Sequence, residues 1–326
     1  MPANDPEARR AICRETVPAV RLSRRTLAAP GLARLLRARS LAMCSHEPGV
    51  LADAAPEPLH DYRVALRAIR CWLAAMKGVM EPSARRQFRA DFAALGALTG
   101  NLRDLDVSQP LLKAAVAACP ELSPAVARGL EHRLGQRRVR ARRLLHRYFQ
   151  GQAYRDLLKR WWELLDALAA GDAAGKRGRE RLAQVVTRAL RRETASLFRE
   201  QVDALHVRPA QLHALRKDCK RVRYLVEGFH SLLDPALAAR AIKALKALQT
   251  SLGQTQDLQA QRDLLVSLAA GWAAQRQPRA PLTVGPLLQR LDQRLATSLL
   301  ASAAAVSHFQ RRRVRRLFER LADEPA

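Results

Sequence analysis

The residues best suited to chemistry form a pattern that occurs twice, His-x-x-Arg-x-x-x-(Arg/Lys)-x-x-Arg. At about 100° per residue, the four positions of each copy fall within a helical arc of roughly 80°, so each copy predicts one cationic stripe along a helix. Guanidinium, ammonium and imidazolium groups on a shared face are suited to binding phosphate, because they donate charge-assisted hydrogen bonds to its oxygens. The first stripe consists of His60, Arg63, Arg67 and Arg70, and the second of His213, Arg216, Lys220 and Arg223.

Each stripe requires a helix whose opposite face is apolar. A proline precedes each histidine, at Pro58 and Pro209, and proline favours the first turn of a helix. We therefore expect both histidines near a helix N-terminus, where free N–H groups and the helix dipole favour anions. The predicted buried faces consist of Tyr62, Leu66, Ile69 and Leu73 in the first helix, and of Leu215, Cys219, Val222 and Val226 in the second.

The two stripes belong to a longer internal repeat with an offset of 153 residues. Residues 59–70 align with 212–223 without a gap, and residues 100–105 (GNLRDL) align with 253–258 (GQTQDL) at the same offset. A solvated surface has no reason to keep a histidine and three cations at identical spacing in both halves. The repeat therefore predicts two helical bundles related by a pseudo-twofold axis.

The fold class follows from the apolar pattern. Ala, Leu and Arg dominate, and apolar residues recur every three or four positions, which predicts an all-α protein. We expect a loosely structured extension over residues 1–29, a first repeat over about 30–170 and a second over about 180–321. The predicted helices span about 31–46, 57–79, 83–117, 123–150, 153–169, 180–205, 209–232, 235–271 and 285–321.

The charge of the chain favours a polyanionic partner. It has 57 Lys and Arg residues against 30 Asp and Glu, a net charge of +27. Five scattered cysteines form no C-x-x-C pair, and the N-terminus has no apolar signal segment, which indicates a cytoplasmic protein. The uncharged stretch between Arg294 and Arg311 is shorter than the roughly 20 apolar residues of a membrane span, so no such span is predicted.

These motifs resemble the CHAD domain family, named for conserved histidines in an α-helical domain. The resemblance rests on LHDYRVALRAIR, GNLRDLDV and LHALRKDCKRVRYLVEGF, and it covers roughly residues 30–320. It implies two four-helix bundles around a basic central channel that binds inorganic polyphosphate. It also implies that both stripes line this channel, and relatives suggest association with polyphosphate or polyhydroxyalkanoate granules.

The chain departs from the family pattern in its first half. Ala68 stands where a second arginine is common, and Asp61-Tyr62 replaces a Gln-Met-like pair, which implies a less cationic first stripe. Some relatives carry an N-terminal triphosphate-tunnel domain with alternating Glu and Lys strands. Nothing before residue 30 resembles it, so a stand-alone protein is expected.

Two aspartates of the repeat invite a metal or a structural interpretation. Asp104 has a counterpart in Asp257, whereas Asp106 aligns with Gln259. We therefore expect Asp104 and Asp257 to pair with arginines or backbone N–H groups and to fix the cationic helices. A metal-dependent phosphohydrolase is a weaker alternative, because His60-Asp61 would need further ligands and the second half has His213-Ala214.

Other basic segments allow further contacts. Arg137 and Arg140 share one face of a helix, and Arg188 and Arg192 share another, so both pairs are expected as second-tier contacts. The alternative function is nucleic-acid binding, although only 5% of residues are aromatic and no base-stacking platform is apparent. No nucleotide-binding or hydrolase motif occurs. The sequence predicts a binding protein that is not an enzyme and uses no cofactor or metal.

Overall fold

The computed structural model describes residues 20–199, 208–273 and 284–323, and side chains within these ranges except 271–273. Its long elements are all α-helices, which confirms the all-α prediction, and the described residues add one short 3-10 helix (His230–Leu232) and two isolated β-bridges. The helices are α1 (Ala28–Ser45), α2 (Glu47–Ala52), α3 (Glu57–Ala75), α4 (Pro82–Ala117), α5 (Pro124–Gln150), α6 (Gln152–Ala170), α7 (Leu182–Leu197), α8 (Pro209–Gly228), α9 (Pro235–Ala273), α10 (Gly285–Phe309) and α11 (Arg312–Asp323).

In each half of the chain, four helices contact one another in a closed ring. In the first half the ring is α1, α3, α4 and α6, and α5 packs on the outside against α4 and α6. The second half has the same arrangement, with α7, α8, α9 and α11 in the ring and α10 packed against α9. Each ring is a four-helix bundle with one additional helix, and the order of the helices is the same in both halves.

The two bundles contact each other through equivalent helices. Helix α1 packs against α7, α3 against α8, and α4 against α9. Contacts between equivalent elements are what a twofold relation produces, because each surface then meets its own counterpart. The stripe helices α3 and α8 therefore lie side by side where the bundles meet. Trp72 of α3 donates its indole N–H to the carbonyl of Tyr224 in α8 at 2.9 Å, a direct bond between the halves.

Apolar faces of these helices form the core. Tyr62, Leu66, Ile69 and Leu73 are all buried, as are Leu215, Cys219, Val222 and Val226, so the stripes have the buried faces that the sequence predicts. Aromatic clusters fill both bundles. The Trp161 ring lies 5.0 and 4.8 Å from the Phe88 and Phe92 rings. No helix in the described ranges combines the length and apolar character that crossing a membrane requires.

Several helix boundaries differ from those predicted. Helix α3 ends at Ala75, and the chain turns through Gly78, whose φ of 82° suits glycine. Helix α7 ends at Leu197, and the last part of the predicted helix, residues 200–205, lies outside the described residues. The predicted helix over 285–321 is divided at residues 310 and 311. This break lets α11 turn back, so that Phe318 packs 5.6 Å from Phe309.

The expected loose extension, residues 1–29, is described from residue 20 onward. There the chain is ordered, because it packs against the start of the second half. Leu22 is buried, the N–H of Leu182 donates to the Thr26 carbonyl at 2.8 Å, and the N–H of Ala28 donates to the Glu180 carbonyl at 2.9 Å. These bonds fix the beginning of α1 beside α7. The remainder of the expected extension, residues 1–19, lies outside the described residues.

Candidate functional site

Glycines in the long helices let the stripe arginines lie against the helix backbone. Arg63 crosses α4 at Gly100, where an added Cβ would lie 3.0 Å from its Nη1. Its guanidinium donates to the Gly96 carbonyl at 3.0 Å and to the Thr99 hydroxyl at 3.1 Å. Arg70 crosses the same helix at Gly96. Two small residues of α4 therefore hold two cations of the first stripe in place.

The second half repeats this contact at the equivalent position. Arg216 lies over Gly253 of α9, with its Nη2 at 3.7 Å from the position of an added Cβ. Arg63 and Gly100 thus correspond to Arg216 and Gly253 in both sequence and space. The contact is tight at Gly100, where a Cβ would crowd Arg63, whereas a Cβ at Gly253 would make only ordinary van der Waals contact with Arg216.

The histidines contact a second pair of equivalent positions. His213 Nδ1 lies 2.5 Å from the Gln256 side-chain oxygen. At the corresponding position of the first half, Arg103 has the largest electrostatic effect on the pKa of His60. The pKa of His60 is lowered by burial first and then by the Arg103 charge. Arg103 also donates to the Pro56 carbonyl at 3.3 Å, beside the start of α3. Sequence reasoning aligned Arg103 with Gln256 but gave neither a role.

The two stripes interact electrostatically across the boundary between the bundles. The pKa of Lys220 in α8 is lowered from 10.5 to about 7, by burial first and then by Arg216, Arg67, Arg223 and Arg63. Arg67 and Arg63 belong to the first stripe. The Arg67 charge also lowers the pKa of Arg216, after burial. We call these eight side chains the paired stripes, because they form one cationic cluster with members from both halves.

The charge of the paired stripes is balanced by few carboxylates. Burial lowers the pKa of Arg63 to about 10, and guanidinium remains charged at neutral pH even so. Among the described ion pairs, only Arg223 of the eight has a carboxylate partner, Glu227 at 3.8 Å. The Nε atoms of Arg63, Arg216 and Arg223 are buried without a hydrogen-bond partner. A cluster of partly buried cations with unused donors is costly unless an anion compensates it.

Asp104 and Asp257 lie beside the stripes but do not pair as the sequence predicts. Within the described ranges, neither carboxylate forms an ion pair, because Arg63 instead donates to the backbone of α4. Arg63 and Arg216 are nevertheless the charges that lower the pKa of Asp104 and Asp257 most, respectively. Burial, the larger effect, raises both pKa values although both residues are solvent-exposed. Asp104 and Asp257 therefore contact solvent while protein atoms partly surround them.

The second-tier arginines mostly hold the protein together. Arg137 of α5 donates to the Ser267 hydroxyl at 2.5 Å and to its carbonyl at 3.1 Å, which joins the two bundles. Arg188 pairs with Glu180. Arg192 donates to the Ala75 carbonyl at 2.7 Å and to Glu193 at 3.0 Å. Arg140 is exposed. Their spacing predicted shared faces, but the structure gives three of the four arginines partners within the protein.

Asp106 and His132, two residues of the types that bind metals, have other partners. Asp106 accepts from Arg138 at 2.7 Å, and Arg138 also donates to both oxygens of Asp53, at 2.8 and 3.0 Å. His132 lies 2.8 Å from the Gln136 amide. Within the described ranges, no group of three or more His, Cys, Asp and Glu residues is arranged to hold a metal ion.

Comparisons with known proteins agree with this architecture. A sequence model of the CHAD domain matches residues 34–266. The crystal structure of the CHAD domain from the plant Ricinus communis matches with a TM-score of 0.70 and 23% identity, over 90% of this chain and 96% of that chain. PptA from Streptomyces chartreusis matches with a TM-score of 0.56 and 16% identity, over 92% and 100%. No curated protein matches significantly. At these identities, the structural similarities show a shared fold alone.

Proposed function

The chain belongs to the CHAD domain family, and from this premise we propose that it binds inorganic polyphosphate along the paired stripes, without catalysing a reaction. In this proposal, each stripe contacts successive phosphates, and the polymer runs between α3 and α8. The basic surface of the paired stripes is then the channel that the family resemblance implies. Association with polyphosphate or polyhydroxyalkanoate granules would follow from binding of the polymer.

One observation carries the proposal: arginines of the first half are close enough to lower the pKa of Lys220 and Arg216 in the second half. Lys220 loses most of its basicity to burial and to four arginines, two of them in the opposite bundle. Such a cluster is self-repulsive, and a polymer with one negative charge per phosphate unit relieves the repulsion at several positions together. The glycine that seats Arg63 supports the same conclusion, because it holds the cation in place.

The surroundings of the stripes favour polyphosphate over nucleic acid. Binding of single strands generally uses aromatic side chains on which bases stack. The aromatic residues on the stripe helices, Tyr62, Trp72 and Tyr224, are buried. They pack within the bundles and offer no face to a base. The paired stripes therefore supply contacts for phosphate and none of the stacking contacts that a nucleobase would need.

The proposal is tested by competition binding. Purified protein is titrated with long-chain polyphosphate at about 0.15 M salt, where weak non-specific contacts are screened. Double-stranded DNA and single-stranded RNA of matched charge serve as competitors. The stripe variant carries His213→Ala, Arg216→Ala and Lys220→Ala. The surface control carries Arg86→Gln, Arg89→Gln and Arg128→Gln, three exposed residues outside the stripes.

We expect polyphosphate to displace both nucleic acids from the wild type and the surface control. The stripe variant should lose this preference while its circular dichroism stays helical. Equal competition by nucleic acid, with the stripe variant binding as the wild type does, would refute the proposal. That result would move the binding site to other basic helices and favour a nucleic-acid role. Phosphate release from polyphosphate by the wild type, with or without divalent metal, would contradict the non-catalytic part.

A further inference from the structure

A second concentration of positive charge lies on the second bundle, away from the paired stripes. Helices α9 and α11 form a groove of about 410 Å³ in which arginines from both helices converge. We call it the arginine groove. Its lining consists of Leu237 and Arg240 from α9, and of Arg312, Arg313, Arg316, Leu317 and Arg320 from α11.

The position of α11 is fixed by its other faces. Leu317 and Phe318 are buried, and Arg315 donates to the Phe198 carbonyl at 3.1 Å while its guanidinium lies over the Phe198 ring. Asp323, at the end of α11, pairs with Arg191 of α7 at 2.9 Å. These contacts hold the first turns of α11 beside α9. The groove is therefore formed by packed helices, and its arginines do not depend on a loop for their position.

Four of the five groove arginines are exposed and have no carboxylate partner in the part of the chain that the structure describes. Arg240, Arg312, Arg313 and Arg316 are all solvent-exposed, and none of them forms an ion pair among the described residues. The groove lining contains no carboxylate. Arg312 and Arg313 also lie on the first turn of α11, where free N–H groups add to the positive potential. An anion is the ligand that this groove accepts.

Helix geometry separates the groove from the stripes. Gly253 and Gln256 mark the face of α9 that meets the second stripe. Arg240 is offset from those two residues by roughly 140–160° around the helix, and it lies about 20 Å from Gly253 along the axis. The arginine groove therefore opens on nearly the opposite face of α9. It is a separate surface rather than a continuation of the paired stripes.

The residues that line the groove favour a phosphate polymer over a nucleic acid. Leu237 and Leu317 are its only apolar residues, so no aromatic ring is present for a base to stack on. The groove is also concave and small, which suits a single flexible phosphate chain better than a duplex. Arginine forks bind the oxygens of adjacent phosphates in bidentate fashion.

We propose that the arginine groove is a second binding site for inorganic oligophosphate, on the opposite face of α9 from the paired stripes. The choice of polyphosphate as the ligand rests on the proposed function, whereas the location of the second site rests on the geometry of the groove. Two sites on separate faces allow one protein molecule to bind two polymer chains, so the protein would cross-link polyphosphate as well as bind it.

Tripolyphosphate is the probe, because it is too short to reach both sites. Its binding is measured by calorimetry at about 0.15 M salt for the wild type, the stripe variant and the surface control. The groove variant carries Arg240→Gln, Arg313→Gln and Arg316→Gln, and the same changes are also made in the stripe variant. A further variant carries lysines at these three positions. It keeps the positive charge but lacks the guanidinium groups that can donate two parallel hydrogen bonds to one phosphate.

We expect two tripolyphosphate molecules per wild-type chain and one for either the groove or the stripe variant. In the stripe variant, the residual binding should weaken at least about tenfold when the groove changes are added, since each lost arginine removes charge-assisted contacts. The lysine variant should bind more weakly than the wild-type groove. The surface control should bind as the wild type does.

The inference would be overturned if the groove changes left the residual tripolyphosphate binding of the stripe variant unaffected. It would also be overturned if the surface control lost as much binding as the groove variant does. A groove variant that loses affinity for duplex DNA while keeping its tripolyphosphate stoichiometry would overturn it too, because the occupant would then be nucleic acid. Failure of the proposed function gives a different pattern. The stripe variant would then bind tripolyphosphate as the wild type does, and only the groove changes would reduce binding.

Discussion

Binding of polyphosphate should take up a proton at Lys220. In the free protein, the pKa of this amine is lowered from 10.5 to about 7, first by burial and then by Arg216 and Arg67 on either side of the bundle boundary. A bound polyanion adds negative charge beside the amine, which raises its pKa again. The protonated form therefore binds more tightly. This advantage is fully present well below pH 7 and is lost as the pH rises through 7 and above.

The size of the effect follows from the two pKa values. With a free value of about 7 and a bound value close to that of an ordinary lysine, the affinity should fall about tenfold between pH 6 and pH 8. His60 adds a contribution of the same sign, because burial and Arg103 lower its pKa in the free protein. Its contribution lies mainly below pH 7, where the imidazole is still partly protonated.

The comparison that isolates Lys220 is the Lys220→Arg variant, whose guanidinium stays charged throughout this range. Dissociation constants for polyphosphate are measured at pH 6, 7 and 8 at constant ionic strength. The wild type should lose about tenfold more affinity than the variant, because titration of His60 and of the polymer is common to both. Equal pH dependence in the two proteins, or tighter wild-type binding at pH 8, would refute the proton linkage.

Three further predictions concern binding and stability. The stripe variant lacks Arg216 and Lys220, two groups that carry a positive charge when polyphosphate is bound, so its plot of log affinity against log salt should be less steep by roughly 1.5, and an unchanged slope would contradict direct phosphate contact. Arg138→Ala should lower the free energy of unfolding by roughly 2 kcal/mol in urea titrations, because two partly buried carboxylates lose their shared partner; a change near zero would show that the pairs contribute nothing. Gly175→Ala should be destabilising by about 2 kcal/mol, since its Cβ would meet backbone carbonyls at 2.5 and 2.7 Å. The matched Gly135→Ala change in α5, where nothing lies within 4 Å, should be neutral or stabilising.

Much of the site could be predicted because it depends on helical periodicity and on the repeat. Spacing alone placed Arg63 and Arg67 on one face of a helix, opposite buried residues such as Leu66. The offset of 153 residues also matched Arg63 with Arg216 and Gly100 with Gly253, which the structure brings into contact in equivalent pairs. Both relations are local or internal to the sequence, so they can be read without knowing how the helices pack.

Relations between different helices could not be read in the same way. Periodicity and the repeat did not indicate that Lys220 would lie within the field of Arg67, because that depends on the packing of α3 against α8. Only the family resemblance implied that both stripes line one channel. It also predicted binding roles for Arg188 and Arg192, whose partners Glu180 and Ala75 come from other elements. Charge spacing describes a helix face, but tertiary packing decides whether that face meets solvent, a ligand or the protein itself.

The boundary between α10 and α11 is another feature that depends on packing between helices and could not be predicted from the sequence. A continuous apolar period ran through residues 310 and 311, so one helix was predicted where the structure has α10 and α11. Packing among Phe198, Phe309 and Phe318 favours the turn, and no residue at the break is a strong breaker. The arginine groove depends on this turn, because it places the first residues of α11 beside α9.

The central claim is that polyphosphate lies between the two stripe helices, and a structure of the protein with a medium-length polyphosphate tests it most directly. We predict phosphate oxygens in hydrogen-bond contact with Arg67 of α3 and with Arg216 and Lys220 of α8 along one chain. A polymer that contacts only exposed arginines such as Arg140, with the space between α3 and α8 free of phosphate, would contradict the claim.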